Sequence, residues 1–226
     1  MEYLSTRDKA LRRSAAQAIT MGLSRDGGLF TPVSFPSLSA LEVETLCGMP
    51  YRKRAAYVMG KFLEEFRPEE LNLFAKNAYG PDRFDHPDVA PLHKMDKRTW
   101  CLELWHGPTS AFKDMALQML PQLLSASLRL TGEKKTACIL AATSGDTGKA
   151  AMEGFADVDQ TKILVFYPEN GVSEIQKLQM VTQEGANVGL ISRAQIFHVF
   201  FPPKARLSQN APVIYLICLR PSAPAG

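Results

Sequence analysis

The chain has 226 residues, 46% of them apolar and 22% charged, with a formal net charge of +3. That length suits one large or two small domains, and the balance is ordinary for a water-soluble globular protein. The charge is too small to point to nucleic acid or an anionic membrane, and the densest basic run, Tyr51-Arg52-Lys53-Arg54, reads as a solvated helix face.

Residues 1–88 read as mostly helical. A short helix is expected over 9–21, followed by a tight turn at Ser24-Arg-Asp-Gly-Gly28, where paired glycines permit positive φ. Residues 29–32 leave that turn as an extended piece. Helices are expected over 51–66 and 68–79, the second opened by Pro68, whose missing N–H costs nothing at a first helical position. Gly80-Pro81-Asp82 ends the region, and residues 85–91 read as a linker.

From about residue 99 the pattern changes. Residues 100–104 form a short apolar strand. Phe112, Met115, Ala116, Met119, Leu120, Leu123 and Leu124 then recur at helical spacing, with Pro121 kinking this helix or ending its first part. Residues 136–142 are a continuous apolar run, as in a strand covered on both faces. A helix over 149–156, a strand over 162–167, a helix opened by the Ser173-Glu-Ile-Gln176 capping box and a strand over 186–191 follow. Strands alternating with helices predict an α/β, doubly wound, mostly parallel sheet. Residues 190–226 contain no Asp or Glu but five of the 15 prolines; the α/β alternation stops there, and residues 200–203 and 220–226 are assigned to no packed element.

Cys47, Cys101, Cys138 and Cys218 lie far apart with no C-x-x-C pair, and His86, His93, His106 and His198 are equally scattered. This argues against a metal site and a disulfide framework, and fits a reducing cytoplasm. The N-terminus has no apolar signal region, and the longest apolar run, residues 213–219, is far below the roughly 20 residues that span a bilayer. The reading is therefore a cytoplasmic protein without membrane, metal or nucleic-acid partners.

Two stretches carry chemistry. In ELWHGPTSAFKDMALQ, residues 103–118, Thr109 or Ser110 is placed to cap a helix with Lys113 in its first turn. The partial positive charge of that end, and Ala111, Phe112 and Met115 beside it, disfavour the ammonium form. A neutral amine is a nucleophile suited to Schiff-base chemistry with an aldehyde, whereas the plain alternative is a solvated surface lysine. Asp114 suits the same helix end as a favourable charge. His106 and Glu103, beside the turn, are open between touching substrate and a structural role.

In ACILAATSGDTGKAAMEGF, residues 137–155, Ser144-Gly145-Asp146-Thr147-Gly148 lies between the carboxyl end of a strand and the start of a helix. Free N–H groups and two hydroxyls there suit a carboxylate or phosphate, and the glycines allow close approach; a plain βα turn is the alternative. The P-loop pattern fails, because Gly148-Lys149 is followed by Ala150. Ser110-Ala-Phe-Lys113 fits S-x-x-K, but the S-D-N and K-T-G partners of that acyl-transfer family are missing.

Together with TRDKA, GLSRDGGLFTP and YPENGVSEIQKLQMVTQEGANV, these stretches resemble the threonine synthase family, among the tryptophan-synthase-β-like, fold type II, pyridoxal 5′-phosphate enzymes. The motifs come in the family's order and cover residues 1 to about 189. The resemblance implies an N-terminal domain over 1–88, part of the cofactor-dependent catalytic domain over 89–189, and an atypical Pro-rich tail over 190–226. It implies that Lys113 carries the cofactor, that Ser144 and Asp146 contact it, and that Ser144, Gly145, Thr147 and Gly148 hold the substrate carboxylate. The family converts O-phospho-L-homoserine and water to L-threonine and phosphate, through a lysine that moves protons at the α, β and γ carbons. Related enzymes often have Asn at the place of Asp146, contacting the 3-oxygen of the cofactor ring. The family's phosphate cup and pyridine-nitrogen partner are expected beyond residue 189, so the chain reads as truncated or frameshifted, its sheet incomplete at the C-terminus. Two other functions are carried forward: a related phospho-lyase acting on other phospho-amino acids, and a fragment without catalysis.

Overall fold

The computed structural model describes residues 1–143, 145–168, 172–193 and 216–220. The chain forms two compact units, Met1–Glu133 and Lys134–Gly226.

The first unit opens with strands where a helix was expected. Strand β1, Glu2–Ser5, lies antiparallel between β2, Arg12–Ser14, and β3, Phe30–Pro32. Residues 12–14 pair with β1, with Tyr3 opposite Arg13, so the helix expected from residue 9 starts only at α1, Ala15–Met21. Its start is set by a capping box: Ser14 Oγ accepts from the Gln17 amide while the Gln17 side chain accepts from the Ser14 amide. The Ser24–Gly28 turn forms as expected, with Gly27 at φ +77° and its N–H donating to Ser24 O at 2.8 Å.

Helix α2, Ala40–Cys47, is capped by Ser39 and Glu42 and was not anticipated. Helices α3, Tyr51–Phe62, and α4, Pro68–Ala78, match the expected pair, with Pro68 in the first turn. Leu71, Phe74, Ala75 and Ala78 of α4 form a buried core with Phe66, Tyr79, Phe84 and Val89. Met119 and Ala126 complete it from the segment that follows Lys113. The first part of the helical spacing ends before Pro121, one of the two outcomes expected there, leaving two helices, α5, Asp114–Leu117, and α6, Leu120–Leu130. Pro121 sits in the first turn of α6, where its missing N–H breaks no helical bond. Strands β4, Leu92–Lys94, and β5, Trp100–Leu102, make a separate antiparallel ribbon.

The second unit is a four-stranded sheet in the order β8-β7-β6-β9, with β6 Thr136–Ala142, β7 Thr161–Pro168, β8 Val188–Arg193 and β9 Leu216–Arg220. The first three in sequence are parallel, and β9, which lies in the Pro-rich tail, joins β6 antiparallel. Helices α7, Asp146–Phe155, and α8, Glu174–Val181, make the two crossovers. Because successive strands step in one direction, right-handed crossovers put both helices on one face, and they touch each other. Ile139, Ala141, Ile163 and Val165 are buried, whereas Cys138, Leu140, Leu164 and Phe166 on the other face are only half-buried. The apolar run at 136–142 is therefore not sealed equally on both sides.

The close seat of α7 depends on Gly148. A Cβ there would lie 2.4 Å from Thr143 Cγ2 and 2.9 Å from Val165 Cγ1. Gly148→Ala is therefore expected to destabilise the chain by about 1–3 kcal/mol, the usual cost of overpacking. Urea unfolding followed by circular dichroism measures it, and an unchanged midpoint would show that α7 has room to spare.

Candidate functional site

Lys113 belongs to the first unit and stands at the N-cap of α5 with helical backbone angles, φ −67° and ψ −20°. Its carbonyl accepts from the amides of Ala116 and Leu117 at 3.1 and 2.9 Å. Its Nζ lies 3.9 Å from the centroid of the exposed Phe112 ring. Among the described residues no carboxylate forms a salt bridge with it.

The turn before it is held by Asp114, not by a Thr109 or Ser110 cap. Asp114 is 0% exposed. Its Oδ2 accepts from the Thr109 amide at 2.8 Å and its Oδ1 from the Thr109 hydroxyl at 2.7 Å. Such charge-assisted bonds offset the cost of taking a carboxylate out of water. Gly107 is required beside it, because a Cβ there would sit 2.6 Å from Asp114 Cβ. Ser110 turns through φ +56°, its amide donating to Gly107 O at 3.0 Å. From the other side the buried Tyr79 hydroxyl donates to Met115 O at 2.7 Å, tying the end of α4 to α5.

His106 does structural work on the same turn. Its Nδ1 lies 2.6 Å from Asp85 Oδ1 and its Nε2 2.8 Å from Glu103 Oε2. Two carboxylates accept only, so both ring nitrogens carry protons. Glu103 and Asp85 accordingly hold its pKa above the ordinary histidine value. The Asp85 amide donates to His106 O at 3.1 Å, so the expected linker is fastened to this turn. A further group was missed in the sequence: Gln118 is 5% exposed, and its Nε2 has no hydrogen-bond partner among the described residues. Only the burial of an amide beyond the lysine turn marks it, and sequence spacing carries no such signal.

The glycine-rich loop belongs to the second unit. Ser144 lies outside the described residues. Gly145 is the N-cap of α7, with no capping side chain among the described residues, which leaves first-turn amides for an anion. The amides of Gly145 and Gly148 are not free, however. They donate to Thr143 Oγ1 and Gly145 O, both at 3.1 Å. Thr147 is buried and Asp146 exposed. Asp146 Oδ1 accepts from Gln176 Nε2 of α8 at 2.7 Å.

In the first unit, an amine without a described carboxylate partner and an orphaned buried amide donor suit an aldehyde with polar groups beside it; in the second unit, taken by itself, an uncapped helix start suits an anionic group. Among the described residues no cluster of His, Cys, Asp or Glu could hold a metal ion, and no helix is long and apolar enough to cross a membrane.

Residues 2–79 match the family model described as threonine synthase N terminus. Threonine synthase of Pseudomonas aeruginosa is 40% identical over 83% of this chain and 39% of its own length. The crystal structure of pyridoxal-phosphate-bound threonine synthase from Brucella melitensis superposes with a TM-score of 0.79 at 38% identity, covering 85% of this chain and 41% of that one. Human threonine synthase-like 1 is 35% identical over 76% of this chain and 24% of its length. The chain thus spans about two fifths of the P. aeruginosa and B. melitensis proteins.

The His106 clamp makes stability depend on pH with a definite sign. A histidine whose folded pKa is raised contributes fully below about 6.5 and loses that contribution as pH rises through the folded value. Wild type is expected to lose stability relative to His106→Gln between pH 6 and pH 9. Urea midpoints of both proteins at the two pH values test this, and a constant difference would show that the ring does not titrate in the clamp.

Proposed function

The chain belongs to the threonine synthase family, and we propose that Lys113 is the residue through which it holds pyridoxal 5′-phosphate, for conversion of O-phospho-L-homoserine and water to L-threonine and phosphate. The observation that carries this reading is the setting of Lys113: an amine on a turn locked by buried Asp114, with no described carboxylate paired to it. Bound through an amine, pyridoxal phosphate acts as an electron sink that eases proton loss beside the substrate nitrogen.

The chain's own residues supply the rest. Lys113 Nζ takes and returns protons at the α, β and γ carbons. Phe112 covers one side of that nitrogen and limits water there. The first-turn amides of α7, with the hydroxyls of Ser144 and Thr147, hold the substrate carboxylate. Gly145 and Gly148 serve that site by shaping the loop, since their own amides are engaged within it. Asp146 would contact the 3-oxygen of the cofactor ring and, as an ionised carboxylate, would require a donor there. In a second reading the same residues eliminate phosphate from another phospho-amino acid.

Incubated with pyridoxal phosphate, wild type is expected to develop the near-visible absorbance of a lysine-bound cofactor, and Lys113→Ala is expected to show none. Equal spectra in the two proteins would remove Lys113 from the role. Phosphate release from phosphohomoserine in preference to phosphothreonine favours the first substrate, and the reverse preference favours the second reading.

A further inference from the structure

Helix α8 reaches back to the glycine-rich loop through one side chain. Its start is a capping box: Ser173 Oγ accepts from the Gln176 amide, and Gln176 Oε1 accepts from the Ser173 amide, both at 3.2 Å. That box fixes which way the Gln176 amide faces. With Oε1 committed to Ser173, the NH2 group must point away, and it donates to Asp146 Oδ1 at 2.7 Å. The amide also packs flat on Gly145, where a Cβ would come within 2.6 Å of Nε2 and 2.9 Å of Cδ. Any larger residue at 145 would displace it. The contact joins the first turns of α7 and α8, the helices that follow β6 and β7, at the carboxyl-end side of a parallel sheet where ligands bind.

We propose that Gln176 is a positioning residue that aims the Asp146 carboxylate and sets the polarity of what the loop accepts. With Oδ1 engaged by the amide, Oδ2 remains as an acceptor without a described partner, so the loop favours a group that brings a hydrogen-bond donor. This rests on the reading of the loop as a cofactor-contacting site. A bare strut between α7 and α8 would need only some complementary pair at 146 and 176. A selecting site needs the carboxylate at 146 and the donor at 176, in that order.

Reversing the pair separates the two. Gln176→Glu keeps an acceptor for the Ser173 amide but sets two carboxylates together. Adding Asp146→Asn restores one donor and one acceptor with the polarity exchanged. The readouts are the urea midpoint and the dissociation constant for pyridoxal phosphate, followed by absorbance and by quenching of protein fluorescence, with Lys113→Ala in parallel. Gln176→Glu is expected to lower the midpoint and to raise the dissociation constant. The double variant is expected to regain the wild-type midpoint while its affinity for pyridoxal phosphate stays down by about tenfold, the scale of one hydrogen bond to a charged group. Affinity that returns with the midpoint, or that never falls in Gln176→Glu, overturns the proposal and leaves a strut. Wild-type uptake that persists in Lys113→Ala, but is weakened in the reversed pair, overturns the lysine assignment and supports the role of Gln176. No uptake by wild type overturns both.

Discussion

The buried carboxylate of Asp114 is the constraint on which the lysine turn depends. A charge taken out of water is costly unless hydrogen bonds replace the solvent. Here the backbone and hydroxyl of Thr109 do so, and the absence of a side chain at Gly107 makes the approach possible. The result is a closed turn whose geometry is fixed from inside. Lys113, next in sequence to the carboxylate, inherits that geometry while its amine stays out of the hydrogen-bonded interior. Tyr79 and the His106 clamp fasten the same turn to α4 and to residue 85. The helical core of the first unit thus acts as the foundation of the turn that carries the Lys113 amine.

The second unit solves a similar problem with different parts. Its loop is held by glycines whose missing side chains are occupied by neighbours: Thr143 and Val165 at Gly148, and the Gln176 amide at Gly145. The glycines that looked suited to letting a ligand approach are used first to let the protein approach itself. The hydrogen-bonding capacity left at the start of α7 then belongs to the other first-turn amides and to Asp146. In both units, the residues flanking the candidate groups are consumed in holding the backbone that carries them.

Much of this was legible in the sequence because the signals were local. Pro68, the Ser173–Gln176 box and the apolar runs of β6 and β7 each act within a few residues, and the elements formed where those signals lie. The lysine turn and the glycine loop were legible for the same reason. What failed was long-range. Residues 12–14 carry no mark of pairing with residues 2–4, so a helix was expected through them. Asp114 looked like a surface charge favourable to a helix end, because burial and a partner five residues earlier cannot be read from periodicity. Gln176 gave a capping signal, but its second bond, to a residue 30 positions away, did not show. The pairing of β9 with β6 was hidden in the same way, because the α/β alternation ends before the tail and an apolar run alone names no partner strand.

The account turns on which nitrogen meets the cofactor. Borohydride reduction of the chain after exposure to pyridoxal phosphate, followed by proteolysis and peptide mass mapping, locates that nitrogen directly. The expected result is one phosphopyridoxyl group, on Lys113, in the peptide that also contains Asp114. A label spread over surface lysines such as Lys97 and Lys134, with Lys113 unmodified, would contradict it.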